Sequence, residues 1–262
     1  AAAWAVAVTG TRFLYDAHEL YVDEHPALTA AARQSRAAVE RYFAKRAAAI
    51  VTVNDLIADD LARRCGVARP VVVRNLPRAP EPTAVPVPNP AADAPAGRLR
   101  LLYHGAHVGL DQHGVDDILR ALVRLRAAGD RRVDATLTLR GGLSPQADRD
   151  LRARIADLGL QPAVLLVPRV PGAEALVQAA IADGAQVGLA VHPPLCQSYV
   201  YTTSSKLYEY QWAGLAVCAS DVLGNRHTVP AEVGLFYPAG DDAALAGRLR
   251  ELAWDPARLM AM

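Results

Sequence analysis

Lysine is nearly absent from this sequence of 262 residues: among its 28 basic residues only Lys45 and Lys206 are lysine, and the others are arginine. The preference for arginine and alanine is typical of a GC-rich coding bias, so a retained lysine carries slightly more information than usual. The net charge is only +1. This balance excludes the strong positive field that attracts nucleic acid or an anionic membrane.

Cysteine is also scarce, and Cys65, Cys196 and Cys218 are scattered and odd in number. The pattern argues against a disulfide framework and favours a reducing compartment. No spacing of cysteine and histidine resembles a zinc site. No apolar run approaches the roughly 20 residues that cross a bilayer. The first residues lack the basic front of a signal peptide, so we expect a cytoplasmic protein.

Proline is concentrated in one segment, which marks a domain boundary. Six prolines interspersed with alanines cannot form a helix interior or a central strand: Pro80, Pro82, Pro86, Pro88, Pro90 and Pro95. We predict an extended linker over 79–97 between a partial N-terminal lobe, 1–78, and a C-terminal domain, 98–262. The chain starts and stops inside helical patterns, so we expect a fragment clipped at both ends. A genuinely small first domain is the alternative.

Strands alternate with helices on both sides of this linker. In the first lobe strands are expected at 11–15, 50–53 and 71–74, with helices over 26–49 and after Asn54. In the second domain strands are expected near 99–103, 133–139, 164–167, 187–190, 215–219 and 235–237, separated by helices over 115–128, 146–158, 173–182, 205–213 and 241–252. Such alternation predicts an α/β protein with two Rossmann-like, doubly wound lobes of parallel sheet, the first incomplete. Ligands of such sheets bind at the carboxyl ends of the strands.

One polar loop runs directly into a helix, in the stretch Thr202-Thr-Ser-Ser-Lys-Leu-Tyr-Glu-Tyr210. A helix start offers unpaired N–H groups and partial positive charge, which suit phosphate oxygens. Lys206 adds a full charge in the first turn, and Glu209, three residues on, can accept hydrogen bonds from a ribose diol. The alternative is a capped surface helix with an exposed Lys206–Glu209 pair worth only ~0.2–0.5 kcal/mol.

Several segments together resemble the family 4 glycosyltransferases of the GT-B fold. The run from Ser204 to Asp221 is similar to the donor-site segment of that family. Further similar segments occur in the family's order: Tyr15-Asp-Ala-His-Glu19, Val71-Val-Val-Arg-Asn-Leu-Pro77, Leu101-Leu-Tyr-His-Gly105, Val187-Gly-Leu-Ala190 and Gly234-Leu-Phe-Tyr-Pro-Ala-Gly-Asp241. The resemblance therefore covers nearly the whole chain.

The resemblance implies retaining transfer of a sugar from a UDP- or GDP-sugar to a glycan, small-molecule or lipid-linked acceptor of cell-envelope synthesis, without a metal or other cofactor. It implies that Lys206 and the helix N–H groups neutralise the leaving diphosphate. Glu209 then holds the ribose, and His18 faces the donor sugar. Further donor contacts are expected from Gly105, His107, His113, Arg169, Thr203, Ser204, Ser205 and Leu207.

Two features depart from the family pattern. Tyr201 stands where many members have a first glutamate, and His107 and His113 stand near the places of an arginine and a lysine that grip the diphosphate. Neutral histidines donate hydrogen bonds but bring less charge, so donor affinity through this loop is reduced. The alternative, to which we give equal weight, is that the two histidines line a polar loop and contact no ligand.

Three other interpretations remain open from the sequence. A nucleotide-sugar epimerase of the same fold needs additional acids and bases, for which Asp16 and Glu19 are the candidates. A clipped chain can also bind a nucleotide and transfer nothing. The basic helix between Arg33 and Arg46 suits either a solvated face, which we favour, or a peripheral contact with the inner face of a membrane.

Overall fold

Helices alternate with short strands in the described parts of the chain. The computed structural model describes residues 10–78, 95–110, 114–127 and 129–262, apart from the side chain of Asp130. The chain divides into two units, one of residues up to Asn75 with Pro194–Thr203, the other of Leu76–Pro193 with Ser204–Met262. The predicted helix tail before Gly10 and most of the predicted linker, 79–94, lie outside the described residues.

The first unit contains a parallel three-stranded sheet in the order β1-β2-β3. The strands are β1 (Leu14–Ala17), β2 (Ala49–Thr52) and β3 (Val71–Val72), and the helices are α1 (Ala30–Ala44) and α2 (Asp55–Cys65), with a 3-10 turn at Tyr21–Asp23. A short helix that follows later in the chain, α6 (Gln197–Tyr201), belongs to the same unit.

The helices of the first unit begin and end where polar caps satisfy their backbone groups. The Asn54 side chain accepts from the N–H of Ile57 at 2.9 Å, and Gly66 ends α2 in the left-handed conformation, φ 64°. Thr29 caps α1, so this helix starts later than the predicted 26–49. The first strand likewise occupies 14–17 rather than 11–15, because Leu14 is the first residue in register with β2.

The second unit contains six parallel strands in the order β6-β5-β4-β7-β8-β9. The strands are β4 (Arg98–His107), β5 (Asp134–Gly142), β6 (Val164–Pro168), β7 (Val187–Ala190), β8 (Ala216–Ser220) and β9 (Gly234–Tyr237). The helices are α3 (Val115–Ala127), α4 (Pro145–Asp157), α5 (Gly172–Ala182), α7 (Ser205–Trp212), α8 (Leu223–Thr228), α9 (Asp242–Ala253) and α10 (Pro256–Ala261). This is the predicted doubly wound parallel sheet.

The side chains of β4 show how the sheet is covered on both faces. Leu101 and Tyr103 belong to one buried apolar cluster, and Leu102 between them belongs to another. Because successive side chains of a strand point to opposite faces, the two clusters are the two cores of one sheet. The strand order reverses between β4 and β7, so the carboxyl ends of these strands form the switch point where ligands of such sheets bind. Among the described residues, no helix is long and apolar enough to cross a membrane.

The segment Pro194–Thr203 lies within the predicted C-terminal domain by sequence, but its contacts group it with the first unit. The N–H of Gln197 donates to Asp23 at 2.7 Å, and Ser198 Oγ donates to Glu19 Oε2 at 3.1 Å. Tyr201 packs against the core of that unit. The aromatic residue that replaces the family's first glutamate therefore has a packing role here.

Candidate functional site

Helix α7 is fixed at the carboxyl ends of β4 and β7 by Tyr210. The phenol of Tyr210 donates to the carbonyl of Leu189 on β7 at 3.1 Å and accepts from the N–H of His104 on β4 at 3.2 Å. Its ring lies directly over Gly188, where a Cβ would overlap the ring atoms. Leu207, fully buried, anchors the same helix in the core. The start of α7 is consequently held at the switch point of the sheet.

The first turn of α7 lacks a side-chain cap. Ser204 is the N-cap residue with an extended backbone, φ −75° and ψ 135°, and its hydroxyl accepts no hydrogen bond from the helix. The capping that the sequence suggested is therefore not formed. Thr203 Oγ1 instead accepts from Asn54 Nδ2 at 3.3 Å, within the first unit. Ser205, in the first turn, is exposed. Uncapped N–H groups at a helix start are suited to an anionic ligand.

Lys206 is buried in the first turn of this helix, with only 7% of its surface exposed. Its Nζ lies 4.5 Å from the centroid of the Tyr103 ring, a cation–π distance. Burial lowers the pKa of Lys206 to about 8, against the opposing effect of the Glu209 carboxylate. The alternative of an exposed Lys206–Glu209 pair is excluded, because Glu209 is only 9% exposed as well.

Glu209 contacts a histidine that the sequence did not indicate. His104 Nε2 lies 2.9 Å from Glu209 Oε2; both atoms are buried, and neither makes a hydrogen bond of good geometry in the described part of the chain. The His104 ring also packs edge-on against Tyr210, with centroids 5.3 Å apart. Burial lowers the pKa of His104, although the Glu209 carboxylate opposes this. His104 is the last residue before the predicted glycine turn, and strand alternation places it on the face of Leu102.

The chain at the end of β4 runs tightly against β5. The N–H of Val108 donates to the carbonyl of Gly142 at 3.0 Å, and the pairing shifts register between Gly105 and His107. A Cβ at Gly141 would overlap Val108 and lie 2.7 Å from the Gly105 carbonyl oxygen. The glycine pair after residue 140 therefore allows two backbones to approach closely. Gly105 and His107 do lie at the carboxyl end of β4, with His107 exposed, whereas His113 lies outside the described residues.

Two further predicted residues follow strands other than β4 and β7. Arg169 is exposed immediately after β6, and β6 is two strands away from β4 in the sheet. His18 is exposed immediately after β1, in the first unit. Glu19, one of the candidates for epimerase chemistry, accepts a hydrogen bond from Ser198. The roles assigned to these residues remain predictions.

A polar network joins the ends of β7 and β8 at the same edge of the sheet. The N–H of His192 donates to Ser220 Oγ at 2.9 Å, and that hydroxyl donates to the His192 carbonyl at 3.1 Å. Asn225 Nδ2 donates to the Ser220 carbonyl at 2.8 Å. All three residues are buried. They stiffen the loops that precede α7 and α8, and nothing in their sequence spacing indicated this. In the described ranges, no group of three potential metal ligands occurs.

Comparison with known proteins identifies the family of the second unit. Residues 98–255 match the family model described as Glycosyl transferases group 1. No protein with a curated functional description matches the sequence.

Three solved structures share the fold. HepE from Anabaena, in complex with UDP, superposes with a TM-score of 0.70 at 15% identity, over 99% of this chain and 67% of HepE. TarM gives 0.65 at 11% identity, over 96% of this chain and 45% of TarM. The pneumococcal O-GlcNAc transferase GtfA, in complex with UDP and GlcNAc, gives 0.63 at 15% identity, over 96% of this chain and 47% of GtfA. The predicted α/β class with parallel sheets of the GT-B type is confirmed. The chain spans less than half the length of two of these proteins.

Proposed function

The chain belongs to the glycosyl transferases group 1. From the geometry at the start of α7, we propose that it transfers a sugar from a nucleoside-diphosphate sugar to a glycan, lipid-linked or small-molecule acceptor. The supporting observation is the buried Lys206 at an uncapped helix start, at the switch point of the sheet. Lys206 is buried and has no ion pair of 4 Å or less among the described residues, which is costly for an ammonium, so its retention favours an anionic ligand at this position.

The proposed donor site uses the first turn of α7 for the diphosphate. The N–H groups of Ser204 and Ser205 and the Lys206 ammonium stabilise the charge that builds on the departing diphosphate. Glu209 accepts hydrogen bonds from the ribose hydroxyls. Leu207 stays a predicted donor contact; its side chain is fully buried, and its N–H donates to the Ser204 carbonyl at 3.1 Å.

The remaining assignments rest on the family resemblance. His18, exposed after β1, is proposed to hydrogen-bond the transferred sugar, and Gly105, His107 and Arg169 to line the donor. We propose UDP as the nucleotide, because HepE and GtfA both hold UDP in their solved structures. We further propose retention of configuration, independence from metal and a cytoplasmic location. The last agrees with three cysteines that are all buried and free.

The donor site is tested by calorimetry with UDP and GDP on the wild-type protein and two lysine variants. Lys206→Ala is expected to weaken UDP binding at least about 10-fold, because a charge-assisted contact contributes about 1.5–3 kcal/mol. Lys45→Ala is the matched control, since the other lysine of the chain is exposed beyond the end of α1. Absence of heat with both nucleotides contradicts the proposal. Unchanged UDP binding by Lys206→Ala shows that the diphosphate does not lie beside Lys206.

The reaction itself is tested with a radiolabelled UDP-sugar. Label that moves to an acceptor supports transfer, whereas label retained in an isomerised nucleotide sugar supports the epimerase alternative. A chain that binds UDP and yields neither product behaves as the non-catalytic nucleotide-binding alternative. A His18→Ala variant, measured beside the wild type, then shows whether the first-unit histidine contributes to turnover after binding.

A further inference from the structure

The contact between His104 and Glu209 has a geometry that suits a positioning role. Both side chains are largely buried, and the 2.9 Å contact joins Nε2 of the imidazole to Oε2 of the carboxylate. Neither atom makes a hydrogen bond of good geometry among the described side chains. A buried carboxylate oxygen without a donor costs about 1–3 kcal/mol or more, and the imidazole 2.9 Å away is the group placed to supply that donor by a small rotation of its ring.

We propose that His104 is a positioning residue that donates through Nε2–H to Glu209 and thereby orients the carboxylate toward the two ribose hydroxyls of the donor. The inference rests on the proposed donor site, because it assumes that Glu209 accepts from the ribose. His104 engages Oε2, which is buried, so Oε1 is the oxygen that turns toward the ligand.

The surroundings of His104 hold its ring in one orientation. Tyr210 packs edge-on against the imidazole, and its hydroxyl accepts from the backbone N–H of His104. Arg140, its cross-strand neighbour on β5, is held by an ion pair with Asp183 at 2.7 Å. Lys206 and Arg140 both disfavour a positive charge on the imidazole, as does burial. A neutral imidazole has one N–H, and the nearby carboxylate favours the tautomer that carries this proton on Nε2.

A packing role for His104 is the competing explanation, and two kinds of substitution separate it from positioning. His104→Phe keeps a ring against Tyr210 but removes the donor. His104→Gln loses the ring but places an amide N–H₂ near the position of Nε2. The asparagine side chain of His104→Asn is polar but too short to reach Glu209. This variant replaces His104→Phe in the experiment if the Phe variant does not fold. His25→Asn, at an exposed histidine of the first unit, is the control.

The readout is the affinity ratio between UDP and its 2′,3′-dideoxy analogue, measured by calorimetry. The wild type and the His25→Asn control are expected to prefer UDP about 10-fold or more, as hydrogen bonds to a charged group predict. The preference is expected to fall below about 3-fold in His104→Phe and His104→Asn and to return in His104→Gln. General damage to the fold lowers both affinities together and leaves this ratio unchanged.

The outcomes distinguish this inference from the proposed function. An undiminished ratio in the Phe and Asn variants overturns the positioning role, as does a ratio lost equally in the Gln variant. A wild type that binds UDP and its dideoxy analogue equally overturns the ribose contact while leaving the diphosphate site intact. A wild type that binds neither nucleotide contradicts the proposed function itself.

Discussion

At the scale of the residue, Lys206 combines a structural cost with a proposed function. Lys206 as a residue is only 7% exposed, so its ammonium has lost much of its hydration, and among the described residues the Tyr103 ring and the nearby Glu209 compensate. The pKa of about 8 expresses this balance, because it lies below the usual value of 10.5. An anionic diphosphate beside Nζ would restore the charged form, so ligand binding and protonation of Lys206 are linked.

This linkage gives a pH dependence with a defined sign. Below pH 8 Lys206 is already protonated in the free protein, so UDP binding takes up no proton there. Above pH 8 the free lysine is neutral, and binding must first charge it. UDP affinity is therefore expected to be flat up to about pH 7.5 and to fall up to about 10-fold between pH 7.5 and pH 9.

Calorimetry across this pH range in two buffers of different ionisation enthalpy measures both the affinity and the proton uptake. The Lys206→Ala variant is the control, since it has no group that titrates at this position. Its affinity is expected to be low and nearly constant over the same range. A wild-type affinity that stays constant to pH 9, or an equal decline in Lys206→Ala, contradicts the assignment of the lysine.

At the scale of the element, the position of α7 depends on close approach to β7. Gly188 lies beneath the ring of Tyr210, and a Cβ there would overlap the ring. Because the Tyr210 hydroxyl also joins β4 and β7, any displacement of its ring moves the whole first turn of α7 relative to the sheet. The proposed donor site is therefore expected to be sensitive to one methyl group in the strand.

Gly188→Ala is expected to lower the free energy of unfolding by about 1–3 kcal/mol, the usual cost of overpacking a core. It should also weaken UDP binding, because it displaces the helix that carries Lys206 and Glu209. Denaturant titration and calorimetry measure the two effects.

Gly247→Ala, inside α9, is the matched control for this substitution. No atom lies within 4 Å of the added Cβ there, so helix propensity alone predicts a gain of about 0.5–1 kcal/mol. Equal behaviour of the two alanine variants contradicts the packing explanation.

At the scale of the whole molecule, the charge for the donor site is proposed to come from the protein and not from a metal ion. The net charge of +1 provides no broad positive field, so the local sources are the helix start and Lys206.

Sugar transfer is accordingly expected to be unchanged by an excess of EDTA and by added Mg²⁺. The measurement is the initial rate of label transfer from a UDP-sugar in protein that has been dialysed against chelator. A rate that falls with EDTA and recovers with Mg²⁺ contradicts metal independence. The same assay on the Lys206→Ala variant shows whether a metal substitutes for the missing charge.

The sequence by itself determined the order and type of the elements in the second unit. Its six predicted strands all occur, and β7 has the predicted bounds, because short apolar runs between glycine turns and helix caps are local signals. Alternation of strand and helix then implied parallel pairing, and the helix start at residues 204–206 was evident from its own residues. The first strand was misplaced by three residues, because its register is decided by pairing with β2.

Only the tertiary structure decided what surrounds these residues. Burial of Lys206 and Glu209, the contact of Glu209 with His104, and the grouping of Pro194–Thr203 with the first unit all depend on residues distant in sequence. The start of α7 could be recognised from its own residues, whereas the burial of Lys206 and Glu209 and the charge state of Lys206 could not. A pKa is lowered, and a carboxylate is oriented, by the neighbours that folding brings within a few ångströms. Helical and strand periodicity describe only which face a residue occupies.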